Sequence, residues 1–277
     1  MLFFLALIFG VAPVYTESWE STDIDRCSVI PPAFWCTNKE IMKSCGFTDV
    51  CKRHKDASYN QPINITVLIE ALCPDCQRWI TESLPTIFKK FNKFVNIEFI
   101  PYGNAKVVNG SIECQHGEEE CSINRFESCV IDSMGTQDQY VPYIYCLENQ
   151  LKSKVTFDKA SAKCFRTLSV SDDIQRMIQS CLVSRLGEEL QMKAAEATVS
   201  RLGEELQMKA AEATDNVWPD QHRFVPWIVI NGVSVASAQT MMDRLPNLLC
   251  EWYIGDKPIP YCQGEEKKRR RAVSWKH

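Results

Sequence analysis

Apolar and polar positions along this chain shift between two periods, and each shift marks an element. "INITVLIEALC", residues 63–73, is a nearly continuous run of Ile, Val and Leu that predicts a buried strand ending at the first of two cysteines three apart. "QRWITESLPTIFKKF" follows, with Trp79, Ile80, Leu84, Ile87, Phe88 and Phe91 at helical spacing and Pro85 placed to kink the helix. "FVNIEFIPYG", 94–103, predicts a second strand. Residues 112–181 combine helical patterns such as "FESCVIDSM" and "YVPYIYCLENQL" with six cysteines, and read as a helical insertion braced by disulfides. "RFVPWIVINGVSV", 223–235, predicts another strand turning at Asn231-Gly232, and "SAQTMMDRLPNLLCEWY" a closing helix.

The N-terminal run "MLFFLALIFGVAPVY" is too short to cross a bilayer and gives way to polar "TESWESTD", the pattern of a secretory signal peptide over residues 1–16. No later segment is long and apolar enough for a membrane span, so a soluble lumenal or extracellular protein is expected. Residues 27–56 hold four cysteines with little room for a core, and such a stretch must be stapled or docked on a larger body. Four cysteines allow three pairings, which sequence does not choose between.

"VSRLGEELQMKAAEAT" occurs twice without a change, at 183–198 and 199–214. Sixteen residues turn a continuing helix by about 160° beyond whole turns. The stripe Leu186, Leu190, Ala194 and its copy Leu202, Leu206, Ala210 would then face opposite ways. One copy is expected to face the core and the other to loop out, break or protrude. Two copies are too few for a solenoid.

The 277 residues, 45% hydrophobic, suffice for one sizeable core and a small second module. The net charge is −4, but the last thirteen residues carry six positive and two negative charges, leaving −8 on the remainder. That acidic body argues against nucleic acid as a partner. The basic run Lys267 to Arg271 reads as a solvated tail (263–277) or a processing site. Fourteen cysteines and two sequons, at Asn64 and Asn109, fit export into an oxidising compartment, although Asn64 lies in a predicted strand where burial would exclude a glycan.

Cys73 and Cys76 carry the candidate chemistry. Zinc needs four ligands, and no second C-x2-C or matched Cys/His pair is present, so no metal is expected. A structural bridge between them would close a tiny loop and constrain the unfolded chain little. Redox use is favoured. A strand, C-x2-C, helix and strand in this order form a thioredoxin-like βαβ unit, and the expected fold is α/β, thioredoxin-like, with the helical insertion, over residues 60–262. Near a helix N-cap the free N–H groups and the helix dipole favour the Cys73 thiolate, lowering a pKa of about 8.5. Asp75, between the thiols, works against it. Val225-Pro226, before a strand remote from the pair, resembles the cis-proline loop that faces the cysteines in this fold.

"CQHGEEECSINRFESC", 114–129, fits C-Q-H-G-x-x-E-C-x-x-N-x-x-x-x-C at Cys114, Gln115, His116, Gly117, Glu120, Cys121, Asn124 and Cys129. This resembles the signature of the gamma-interferon-inducible lysosomal thiol reductase family. The resemblance implies an enzyme of the endosomal or lysosomal lumen that reduces disulfides of protein substrates, with Cys73 attacking and Cys76 resolving the mixed disulfide. It implies no nucleotide, flavin or metal cofactor, and a small thiol such as cysteine as external reductant. It leaves His116 as proton donor, thiolate-steering group or structural hydrogen-bond partner, and the signature cysteines as structural. "PPAFWC" and the cysteines after it resemble a saposin A-type segment, which implies lipid contact through residues 27–56. Two other functions stay open on sequence: a secretory oxidase or isomerase, and a non-enzymatic, lipid-associated binding module.

Overall fold

The computed structural model describes residues 27, 36, 38–200, 222–232, 234 and 236–264. The signal-peptide run, the "PPAF" stretch, residues 201–214 of the second repeat copy and the tail from 265 lie outside them.

Strand β1 (Ile63–Ile69) runs through the middle of a three-stranded sheet. It pairs in parallel with β2 (Val95–Pro101), with Ile65 opposite Ile97 and Val67 opposite Phe99. On its other side it pairs antiparallel with β5 (Trp227–Ile230), Val67 opposite Ile228. Every residue of β1 except Asn64 is buried, because helices cover both faces of the sheet; such a strand reads as an unbroken apolar run. Asn64 corrects the expectation of burial at that sequon: its side chain is exposed.

On each outer strand a glutamine side chain meets one free N–H and one free carbonyl. Gln137 accepts the Ile97 N–H at 2.8 Å and donates to the Val95 carbonyl at 3.0 Å along β2. Gln239 accepts the Ile228 N–H and donates to the Ile228 carbonyl, each at 2.8 Å, along β5.

The N-terminal helices α1 (Lys39–Ser44) and α2 (Thr48–Ser58) close around Phe47 and Cys51 as a small cluster of their own. Cys27–Cys45 and Cys36–Cys51 cross-link it. Tyr59 and Asn60 then bond to Asp256.

Helix α3 (Pro74–Glu82) follows β1, and α4 (Leu84–Phe91) leads to β2. Where the sequence predicts one kinked helix, two form, meeting at Ser83 with Pro85 in the first turn of the second, where its missing N–H costs nothing. After β2 comes a hairpin that the sequence reading did not anticipate, β3 (Lys106–Val108) and β4 (Ser111–Glu113). Its turn places Asn109 at φ 51° and Gly110 at φ 80°, the left-handed pair that Asn-Gly supplies at least cost.

The insertion comprises α5 (Glu118–Met134), α6 (Gln137–Lys152), α7 (Phe157–Thr167), α8 (Asp172–Val183) and α9 (Arg185–Ser200). Cys129–Cys181 ties α5 to α8 and Cys146–Cys164 ties α6 to α7. Helix α6 lies against α3, so the insertion buttresses the C-x2-C helix directly.

Helix α9 carries residues 185–198 of the first repeat copy, and its inner face departs from the expected stripe at Leu186, while Leu190 packs against the core and Ala194 is buried. Gly187, Gln191, Ala194, Ala195 and Thr198 are buried, whereas Leu186 is 42% exposed. The cause is close approach: a Cβ on Gly187 would stand 2.5 Å from the Cys181 carbonyl and 3.2 Å from Arg125 Cδ. Gln191 completes the contact by accepting from Arg125 Nε and donating to the Cys121 carbonyl, both at 3.0 Å.

After β5 the expected closing helix breaks into α10 (Ala236–Gln239), a 3-10 turn (Met242–Arg244) and α11 (Leu245–Trp252), and Cys250–Cys262 pins the last of these.

Candidate active site

Cys73 is the N-cap of α3, and its sulfur accepts the Cys76 N–H at 3.5 Å. Pro74 occupies the first helical position, where a fixed φ near −65° starts the turn at no cost in hydrogen bonds. Twelve of the fourteen cysteines form six disulfides; Cys73 and Cys76 are the two free thiols, and both are buried. Their environments separate them. A hydrogen bond from the Cys76 thiol, helped by the backbone N–H groups of Cys76 and Asp75, brings Cys73 down to about 6 against the opposing effect of burial. Deep burial, with Cys73 as neighbour, drives Cys76 far above the ordinary thiol range. Asp75 opposes the Cys73 thiolate only weakly: its carboxylate is exposed and paired with Arg78 at 2.8 Å.

Val225-Pro226 is a cis peptide, and the Cys73 thiol donates to the Val225 carbonyl at 3.6 Å. Residues 152 positions apart thus meet at the end of the sheet. Phe224 is 46% exposed beside this loop and stacks edge-on to Trp227, which is fully buried and donates from Nε1 to Ser234 at 2.8 Å.

The 114–129 motif surrounds the turn between β1 and α3. Asn124, buried in α5, accepts the Ala71 N–H at 2.9 Å, while Gln77 donates to the Ala71 carbonyl at 2.9 Å, so the residue two before Cys73 is gripped from both sides. Gln115 accepts from Asn104 at 2.7 Å. Cys114–Cys121 closes a short loop, and inside it Gly117 caps α5 at φ 89°, a conformation open to glycine at little cost. Glu120 accepts the His116 N–H at 3.0 Å and meets His116 Nδ1 at 2.5 Å. Cys129, in the second half of α5, does not join the group; it is bonded to Cys181. Asn64, at the far end of β1, and Asn109, at the hairpin tip, lie away from the thiols and are exposed.

Glu70 is a residue of the site that the sequence pattern did not single out. It is fully buried at the end of β1, with Oε1 accepting the Asn104 N–H and Oε2 lying 3.8 Å from His116 Nδ1 without a hydrogen bond. A Cβ on Gly103 would come 2.1 Å from Glu70 Cγ, so glycine is required there for the carboxyl to fit. Burial above all, with the charges of Glu120 and Cys73, raises Glu70 to about 7. The His116 ring is pulled down by its surroundings, but the hydrogen bond and charge of Glu120, with Glu70, outweigh this and leave it raised. The signal was present: an acid in an otherwise apolar strand, three residues before a C-x2-C. Ligand atoms of Glu70, His116 and Glu120 fall within 4.8 Å of one another. The 2.5 Å contact of Glu120 with His116 is a hydrogen bond, closer than the ~3.3 Å between two ligands of a tetrahedral ion with ~2.0 Å bonds. Glu120 and His116 form a hydrogen-bonded pair with the Glu70 carboxyl beside it, rather than a cage.

Beneath α3, Glu127 of α5 and Glu148 of α6 face each other with all four carboxyl oxygens buried, each carboxyl acting on the other and the Gln77 side chain acting on Glu148. Burial raises both, Glu127 to about 8.

Residues 64–168 match the family model described as gamma interferon inducible lysosomal thiol reductase (GILT). The chain carries a GILT-family domain. That match takes in Cys73, Cys76 and the whole 114–129 motif. Over 243 residues the chain is 29% identical to the gamma-interferon-inducible lysosomal thiol reductase of Carassius auratus, covering 86% of each. It is 26% identical over 200 residues to a gamma-interferon-responsive lysosomal thiol protein of Arabidopsis thaliana, covering 72% of this chain and 74% of the relative. The Mus musculus GILT is 24% identical over 236 residues, with 81% and 84% covered. The GILT match and these relatives make the chain a thiol-disulfide oxidoreductase.

Proposed function

We propose that this protein reduces disulfides of protein substrates in the acidic lumen of endosomes and lysosomes, with Cys73 as attacking thiolate and Cys76 as resolving thiol. The observation that carries the reading is the one pair of free thiols among fourteen cysteines, split into a stabilised thiolate at a helix N-cap and a buried, protonated partner. At pH ~5 a thiol of pKa about 6 is roughly a tenth ionised, against roughly 0.03% for an unperturbed one. Cys73 therefore retains a nucleophile where an ordinary cysteine has almost none. The expelled thiols carry away the electrons, the protein is left as the Cys73–Cys76 disulfide, and a small thiol such as cysteine returns it to the dithiol. Exposed Asn64 and Asn109 are the glycan acceptors in this reading, and residues 1–16 the export signal.

The test is reduction of a denatured disulfide protein at pH 4.5 to 5.5 with cysteine present. Wild type should turn over, Cys73→Ser should lose at least about a hundredfold, and Cys76→Ser should stall as a covalent mixed disulfide visible on a non-reducing gel. Undiminished turnover in Cys73→Ser would sink the assignment.

A further inference from the structure

Resolution of a mixed disulfide requires Cys76 to lose a proton that its burial holds tightly. The Cys73 N–H donates to the Glu70 carbonyl at 3.3 Å and the Cys76 N–H to the Cys73 sulfur at 3.5 Å, so Glu70 opens the turn that carries both thiols, and its buried carboxyl and the two sulfurs act on one another by charge. One Glu70 oxygen is fixed by Asn104; the other is buried, has no hydrogen bond and faces His116 Nδ1 at 3.8 Å. His116 is a third exposed, and Glu120, itself fully buried, holds its ring and its backbone. We propose that Glu70 takes the proton of Cys76 during resolution and that His116, clamped by Glu120, is the outlet of that proton to solvent. This rests on the thiol-reductase reading above and adds a role to a residue outside the C-x2-C and the 114–129 motif.

The groups facing Glu70 are Cys73 from the loop, Cys76 from α3, His116 and Glu120 from the start of α5, and His222, which bonds to the Gly103 carbonyl on the other flank. At rest in acid, burial above all keeps Glu70 neutral, and the minor fraction of Cys73 that is thiolate acts in the same direction. In the first step the Cys73 sulfur bonds to one substrate sulfur and the S–S bond breaks. The second sulfur leaves as a thiolate, taking the negative charge out of the site. The Glu70 proton passes through His116 to that thiolate, whose ordinary pKa of about 8.5 makes it the stronger base. In the second step the Cys76 proton moves to the Glu70 carboxylate. Cys76 sulfur bonds to Cys73 sulfur, and the remaining substrate thiolate departs and is protonated from solvent. Two electrons have moved from the dithiol to the substrate, and Glu70 again holds one proton.

Glu70→Gln preserves the acceptor for Asn104 and removes the proton-carrying function. Reduced protein is mixed with a denatured disulfide protein at pH 5 and quenched in acid at intervals. Glu70→Gln should form the mixed disulfide within threefold of the wild-type rate, resolve it at least about tenfold more slowly, and so accumulate it. Wild-type resolution, or equal slowing of both steps, overturns the proposal, since a merely structural role would not separate them. If Glu70→Gln does not fold, His116→Gln decides, because it leaves the β1 core intact: accumulation supports the relay and wild-type resolution refutes it. Cys76→Ser serves as the control, and if it traps no mixed disulfide, the reductase reading itself has failed.

Discussion

Cys73 draws its low pKa from the Cys76 thiol and from backbone N–H groups, with Asp75 turned to Arg78 and solvent. This fixes how its redox poise must vary with pH. Below about pH 6 both thiols are protonated when reduced, so the potential should fall by about 59 mV per pH unit, two protons accompanying two electrons. Above that point the thiolate stabilises the reduced form and the slope should halve to about 30 mV. The break belongs near pH 6 rather than near 9, and equilibration with glutathione or a similar couple across pH 4.5 to 8 measures it. The pair is thus a weaker reductant at neutral pH than in acid, relative to an unperturbed dithiol. A potential near −120 mV would mark the oxidase alternative, since such values belong to strong oxidants. The motif residues were legible because their side-chain types are unusual together. Glu70 was overlooked because acids are rarely fully buried and the apolar run around it dominated the reading.

Helix α9 shows what element-level periodicity can and cannot predict. The sequence correctly places a helix there, and of the stripe Leu186, Leu190 and Ala194 the last is buried and the second packs against the core; Leu186 turns outward because a glycine and a glutamine win the groove against α5 by close approach and hydrogen bonding. The two strands around the C-x2-C, by contrast, were readable because a strand covered on both faces has no polar alternative in register. The hairpin of 106–113 escaped because its strands are three residues long and largely exposed, leaving no apolar run to detect. Since Gln191 of the first copy already fills the α5 groove, Gln191→Ala should cost about 1–3 kcal/mol by stranding Arg125 and the Cys121 carbonyl. The same change at Gln207 in the second copy, and deletion of residues 199–214, leave those two hydrogen bonds of Gln191 in place, so each should cost less. Urea unfolding midpoints of the three variants make the comparison.

At the scale of the molecule, Glu70, Glu127 and Glu148 all have their carboxyls raised by burial. A carboxyl that keeps its proton longer folded than unfolded supports the fold fully below its unfolded pKa near 4.5 and loses that support as pH climbs to the folded value. For these groups the loss spans pH 4.5 to about 7 or 8, and His116, also raised, adds in the same direction above 6.5. His54 and His222, lowered by burial, oppose it below 6.5. Cys73, lowered to about 6, opposes the loss above that pH while it is a free thiol. It is therefore with the Cys73–Cys76 pair oxidised that denaturant stability should decline between pH 6.5 and 8, and a Glu127→Gln, Glu148→Gln double variant should flatten that decline; an unchanged slope would show that the carboxyl pair does not govern it. The glutamines that satisfy the outer strands have a further consequence. An uncovered outer strand is a template onto which an extended chain can add. With Gln137 and Gln239 each occupying an N–H and a carbonyl on an outer strand, an extended chain adding to this sheet would first have to displace them.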